Sequence, residues 1–234
     1  MKFNLPRLYV IADADVLLRR GLELRAFALE LRGAGVGLVQ WRDKNGSPQE
    51  VLAGAAVLRE VFAGTGCRLI LNDRADLAVL AGFGGVHVGQ GDLSPEDARR
   101  VLGGVSGQSS SHPSRGLERW GTRTVSVEDC VVGMSTHTEE QVRVAELSGA
   151  DYVAVGPVFA TGTKLDADPV VGLEGVRRAR ALTSKPLVAI GGITRENARS
   201  VVDAGADSVA VISGLFVEGE TVGTVVGDFL RILG

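Results

Sequence analysis

Residues 186–214, PLVAIGGITRENARSVVDAGADSVAVISG, hold two short apolar runs, PLVAIG (186–191) and SVAVIS (208–213), with one amphipathic, helix-sized segment (194–204) between them. Runs that are apolar on both faces and joined by a helical crossover imply neighbouring parallel strands. Each run closes in a small-residue turn, Gly191-Gly192 after the first and Ile212-Ser213-Gly214 after the second. There, backbone N–H groups can converge on an anion at the start of a helix. Tight turning alone is the other reading of these glycines.

The same unit recurs along the chain. Further strand-like runs are LYVIAD (8–13), VGLVQW (36–41), RLILND (68–73), GGVHVG (84–89), CVVGMS (130–135) and DYVAVG (151–156). Amphipathic segments at 19–32, 48–64, 75–82, 94–103, 138–149, 171–183 and 219–233 complete the alternation. Ser94-Pro95-Glu96-Asp97 is the clearest helix start, a serine cap ahead of proline and acidic residues. Eight strand–helix units in 234 residues predict an α/β chain folded as one closed (β/α)8 TIM barrel domain over residues 1–234, in preference to a doubly wound open sheet. Residues 104–128, polar and rich in Ser and Gly, interrupt the rhythm. They read as a surface insertion between the fourth helix and the fifth strand, on the end of the barrel away from the βα loops. His112, within them, reads as a solvated side chain.

Composition narrows the function. The hydrophobic fraction is 45%, and 25 basic residues against 28 acidic leave a net charge of −3, which offers no footprint for nucleic acid or an anionic membrane. No apolar run approaches the roughly 20 residues of a membrane span, and no signal-peptide layout opens the chain, so a cytoplasmic protein acting on small molecules is expected. Self-association is left open. Cys67 and Cys130 lie far apart with no C-x-x-C pair and read as buried thiols. No catalytic Ser-His-Asp or Cys-His pattern, P-loop or G-x-G-x-x-G after a strand is present.

Chemistry-bearing residues gather at strand ends. With a period of two, Gln40, Arg42 and Lys44 share one face and Val39, Trp41 and Asp43 the other, which aims an amide and two cations into the barrel mouth. An arginine fork with a lysine point charge suits a polyphosphate. Asn72, Asp73 and Asp92 close the third and fourth units at the same rim. Two carboxylates beside two cations can ligate Mg2+, an ion that completes its shell with water and substrate phosphate. Helix capping is the competing role, weaker for Asp92 because Ser94 already supplies a cap. Asp76 falls within the helix after strand three and drops out. His87 should point inward as a packed, hydrogen-bonded side chain. Ser135-Thr136-His137-Thr138 form a hydroxyl-rich turn that can cap the next helix, and Thr161, Thr163 and Lys164 place hydroxyls and a cation on the loop after strand six. The sum is a site for a metal-bound diphosphate beside a site for a monophosphate, and hence two phosphorylated substrates.

These residues resemble the thiamine phosphate synthase (thiamine-phosphate pyrophosphorylase) family over nearly the whole chain. The carrying segments are LYVIAD, VQWRDK, LILNDRADLA, GVHVGQGDL, GMSTHT, GADYVAVGPVFATGTK, VAIGGI and GADSVAVISG. The resemblance implies a transferase that joins 4-amino-2-methyl-5-(diphosphooxymethyl)pyrimidine to 4-methyl-5-(2-phosphoethyl)thiazole, or its carboxylated precursor, giving thiamine phosphate and diphosphate. It implies that Gln40, Arg42, Lys44 and Asn72 bind the pyrimidine diphosphate, that Asp73 and Asp92 ligate Mg2+, and that Ser135 and Lys164 contact the same substrate. Thr161 and Thr163 would face the thiazole phosphate, with Gly192, Ile212 and Ser213 cradling it. Arg42, Lys44 and Lys164 would act catalytically by neutralising the leaving diphosphate. The chain departs from the family pattern at Gly91, Ala160, Trp41 and Asp43, where acidic, proline, aliphatic and glutamate residues are usual, and in the length of 104–128. A related thiazole tautomerase, or an idle barrel that only binds thiazole phosphate, is the alternative.

Overall fold

The structure, a computed structural model, describes residues 4–104, 130–162 and 169–234. Eight strands, β1 (Leu8–Asp13), β2 (Leu38–Arg42), β3 (Arg68–Asn72), β4 (Gly85–Val88), β5 (Val131–Thr136), β6 (Tyr152–Val155), β7 (Leu187–Ile190) and β8 (Ser208–Val211), close into a barrel in sequence order. Every neighbouring pair is parallel, and β1 returns to β8 through Leu8↔Val209, Tyr9↔Ala210 and Val10↔Val211. The ring is therefore a (β/α)8 barrel and the open-sheet alternative is excluded. The expected insertion beyond Gly104, with His112, lies outside the described residues, as do Thr163 and Lys164.

Alternation along each strand divides the apolar residues into two bodies. Leu8, Val10, Val39, Trp41, Leu71, Val86, Val153 and Val209 pack outward against the helices. Tyr9, Ile11, Leu38, Ile70, Val131, Tyr152 and Val188 pack inside the ring. This two-sided burial is why the strands read as continuous apolar runs. Among the described residues no helix is long and apolar enough to cross a membrane.

The helices follow the sequence pattern with one correction. The segment expected at 19–32 is two helices, α1 (Ala14–Arg19) and α2 (Leu24–Gly33). Asp13 ends β1 and caps α1 at once, its Oδ1 accepting the Val16 N–H at 2.9 Å. Gly21, at φ 64°, then turns the chain out of α1 so that α2 starts afresh. The remaining helices are α3 (Pro48–Val61), α4 (Ala75–Ala81), α5 (Pro95–Gly104), α6 (Glu139–Leu147), α7 (Gly172–Leu182), α8 (Arg195–Asp203) and α9 (Val222–Leu233). α3 opens with Ser47 and Glu50 in a reciprocal capping box. Cys130 is buried and Cys67 half-buried, where burial pushes the Cys67 thiol up to about 12.

Trp41, unusual for its position, is accommodated by a glycine in α3. Its indole N–H donates to the Val51 carbonyl at 3.1 Å, and a Cβ at Gly54 would stand 2.4 Å from the ring. Ala is a better helix former than Gly by about 1 kcal/mol, yet Gly54→Ala should destabilise the protein by about 1–3 kcal/mol through overpacking. Denaturant unfolding checks the sign. The same substitution in a Trp41→Leu background should become neutral or stabilising.

Candidate active site

The end of β2 presents its cationic face to the mouth. Gln40, Arg42 and Lys44 line a cavity of about 570 Å³ at the C-terminal end of the barrel, while Trp41 faces the helices. The Arg42 guanidinium donates to the Asp13 carboxylate, whose side chain is buried at the end of β1. Asp13 thus holds Arg42 as well as α1, fixing the fork before any ligand arrives.

The two expected metal ligands meet in the same cavity. Asp73 has a left-handed backbone, φ 61°, costly for a residue with a Cβ, and its N–H donates to the His87 carbonyl at 2.7 Å. Burial, followed by the hydrogen bond and charge of neighbouring Asp92, pushes the Asp73 carboxyl up to about 6, with Lys44 pulling the other way. Lys44 Nζ is 3.4 Å from Asp73 Oδ2. Asp92 Oδ2 accepts the Gly89 N–H at 2.7 Å. Neither carboxylate caps a helix: the N-cap of α4 is Arg74, without a side-chain bond, and Ser94 Oγ receives the Asp97 N–H of α5. Asp76 pairs with Arg74 in an exposed contact. Among the described residues no group of three or more His, Cys, Asp or Glu is arranged for a metal. Two crowded carboxylates nevertheless fit Mg2+, which needs few protein ligands and would relieve their repulsion.

Beneath the mouth lies a polar layer. His87 lines the cavity floor, with Nδ1 2.9 Å from Tyr152 Oη and Nε2 2.8 Å from Ser135 Oγ. Tyr152 Oη is 2.9 Å from Tyr9 Oη, and Gln40 Nε2 donates to Tyr9 Oη at 2.7 Å. Burial holds the His87 ring down at about 4, so it is neutral near pH 7, and raises both tyrosines above their ordinary range.

The opposite wall comes from the later loops. Ser135 and Thr161 line the cavity, and so do Gly192, Ile212 and Ser213. Ser213–Leu215 is a 3₁₀ turn directly after β8. Gly192 has φ 63°, and a Cβ there would stand 2.5 Å from the Ala160 carbonyl oxygen, so this turn can close only around glycine. Asn197 donates to the Gly192 carbonyl at 3.0 Å. Arg195 reaches Glu220 at 2.7 Å and Asp228 at 2.5 Å, tying the start of α8 to α9 and the segment before it. A second cavity of about 320 Å³ shares Thr161, Gly192 and Ser213 and runs out to Arg195 and Phe216.

A protein-family model described as thiamine monophosphate synthase matches residues 8–122 and 116–215. The chain belongs to the thiamine monophosphate synthase family. A thiamine-phosphate synthase of Koribacter versatilis is 49% identical, with 98% of this chain aligned to 97% of that one. One of Chloroflexus aurantiacus is 39% identical, covering 88% of this chain and 83% of its own. The solved structure of thiamine phosphate pyrophosphorylase from Pyrococcus furiosus superposes with a TM-score of 0.75 at 30% identity, covering 97% of this chain and 95% of that one.

The departures from the family pattern differ in the space they need, Trp41 requiring Gly54 opposite it and Gly91 requiring nothing. A Cβ at Gly91 would meet nothing within 4 Å. Sequence reasoning missed Asp13, although an aspartate closing an apolar run was the signal that singled out Asp73. It also missed Gln90, which lines the cavity and donates to the Ser135 carbonyl at 2.6 Å, and His137, whose Nδ1 is 2.6 Å from the Gly156 carbonyl. Of the turn Ser135-Thr136-His137-Thr138, expected to cap the next helix, Thr138 is the residue that does so, with Gln141 completing the box on α6.

Neutral His87 links stability to acid. The unfolded ring binds a proton near pH 6.5 and the folded ring only near 4, so the unfolded state holds more protons between these values. The contribution of His87 is fully present above pH about 6.5 and is lost progressively as pH falls toward about 4. Denaturation at stepped pH should show this acid limb, and His87→Asn, less stable overall, should lose it.

Proposed function

We propose that this family member joins 4-amino-2-methyl-5-(diphosphooxymethyl)pyrimidine to 4-methyl-5-(2-phosphoethyl)thiazole with the help of Mg2+, forming thiamine phosphate and releasing diphosphate. One observation carries the reading. The amide-and-cation face of β2, the Asp73–Asp92 pair and the glycine and 3₁₀ turns after β7 and β8 all line a single cavity. The tautomerase and idle-barrel alternatives are not favoured, because neither needs Arg42, Lys44, Asp73 and Asp92 gathered together.

The leaving group dictates the division of labour. The bond between the pyrimidine methylene carbon and the diphosphate oxygen breaks, and its electron pair leaves with the diphosphate. The thiazole nitrogen then shares its lone pair with the same carbon. The electron-rich aminopyrimidine supports positive charge on that carbon, so no protein nucleophile is needed. Arg42, pre-oriented by Asp13, and Lys44 stabilise charge on the departing diphosphate. Lys164 is assigned the same role from its position in the family pattern. Mg2+, held by Asp73 and Asp92, would supply further charge neutralisation when bound. Asn72, Gln40 and Ser135 bind the pyrimidine, and Gly192, Ile212 and Ser213 with Thr161 and Thr163 receive the thiazole phosphate.

The purified protein with both substrates and Mg2+ should form thiamine phosphate and diphosphate in equal amounts, and a chelator should stop it. A folded protein that makes neither product defeats the proposal. Asp92→Ala should lower turnover by on the order of 100-fold or more with an unchanged circular dichroism spectrum; full activity would refute the metal assignment.

A further inference from the structure

The interior of a (β/α)8 barrel is ordinarily filled by branched apolar side chains, yet five polar ones form an unbroken hydrogen-bonded row under this mouth. Proton counting gives the row a direction. The Gln40 amide nitrogen can only donate, so Tyr9 Oη accepts from it. Tyr9 is fully buried and owns one hydroxyl proton, which a second incoming donor would strand; it is therefore given to Tyr152 Oη, 2.9 Å away. Continued in the same sense, the Tyr152 proton would pass to His87 Nδ1, 2.9 Å away, and the ring proton, then on Nε2, to Ser135 Oγ at 2.8 Å. Ser135 keeps its hydroxyl proton for the cavity, and Gln40, its nitrogen turned inward, keeps its carbonyl oxygen for it. Both residues line the cavity, on β2 and β5, three strands apart around the ring.

We propose that Tyr9, Tyr152 and His87 are positioning residues that form a one-way hydrogen-bond relay, obliging Gln40 to present an acceptor and Ser135 a donor to opposite sides of a planar ring. The inference rests on the aminopyrimidine reading of the site and deepens it. A 4-aminopyrimidine carries a donor amino group and, across the ring, an acceptor nitrogen. A 4-oxo pyrimidine places a carbonyl oxygen where the amino group was, facing the Gln40 oxygen. Turning the Gln40 amide over would relieve that clash only by reversing every bond in the row, so the ends cannot adapt independently. The relay is thus a selectivity device that never touches the ligand.

Two measurements test it. Nitrogen-15 shifts of the histidine rings, with the His87 signals assigned by their absence in His87→Asn, should place the His87 proton on Nε2. A proton on Nδ1, or on both nitrogens, overturns the relay. Calorimetry with the amino and 4-oxo pyrimidine methyl diphosphates should show that Tyr9→Phe, which leaves the Gln40 nitrogen without its acceptor and the amide free to turn, narrows the preference for the amino compound by about tenfold or more. Binding of the thiazole phosphate should be unchanged. An unaltered preference in a folded Tyr9→Phe protein also overturns the proposal, and Tyr152→Phe cuts the same row one link further on should the first variant fail to fold. If the wild-type protein binds neither pyrimidine, the substrate reading falls, while the ring-proton measurement still decides the direction of the row.

Discussion

Closure of the ring through β1 and β8 is the constraint on which everything at the mouth depends. Because all eight pairings are parallel, every strand ends at one rim. Residues as distant in sequence as Ile11 and Ser213 therefore line one cavity. An open sheet of the same units would place its strand ends along a line, and the β2 cations could not face the β7 and β8 turns across a cavity. Convergence of the β2 cations and the β7 and β8 turns on one cavity is thus a consequence of topology before it is one of any side chain.

Inside the ring a polar layer sits within an otherwise apolar cluster. Tyr9, Gln40, His87 and Tyr152 are buried, and each would be costly without a partner. Among the described residues no buried side-chain nitrogen or oxygen lacks one. Gly133 makes the layer possible: a Cβ there would lie 2.0 Å from the Tyr152 ring. The left-handed backbone of Asp73 and its crowding against Asp92 lie at the mouth, and among the described residues Asp73 is the only non-glycine residue with a positive φ.

Much of this was legible in the chain because it has a short period. Alternation within β2 was enough to put Gln40, Arg42 and Lys44 on the cavity side and Trp41 on the helix side, and the small-residue turns after β7 and β8 announced themselves by composition. What escaped is what depends on contacts across the ring. Tyr9 and Tyr152 are separated by 143 residues and read, in sequence, as ordinary strand aromatics. Asp13 escaped for a local reason: the first helix was placed too late, so its cap had nothing to cap. His87 was expected to point inward and packed, but nothing in GGVHVG names Tyr152 and Ser135 as its partners.

The abundance of glycine, 32 residues, has a second cause beyond sharp turning. At Gly85, Gly156 and Gly214 the backbone is not left-handed, yet a Cβ would stand 2.2 Å from a carbonyl oxygen of Val131, Ile190 and Ile193 respectively. These are positions where one main chain lies directly against another. Around the cradle the contacts run in series. The β6 loop presses on Gly191 and Gly192 through Pro157, Phe159 and Ala160, and the β7 loop presses on Gly214 through Ile193. A turn held by backbone against backbone has no rotamer to relax into, so the groups it presents are set by the positions of the strands themselves. The end of the cavity lined by Gly192 and Ser213 therefore takes its shape from main chain packed without side chains, whereas the end lined by Arg42 and Lys44 takes it from ion pairs, Arg42 with Asp13 and Lys44 with Asp73.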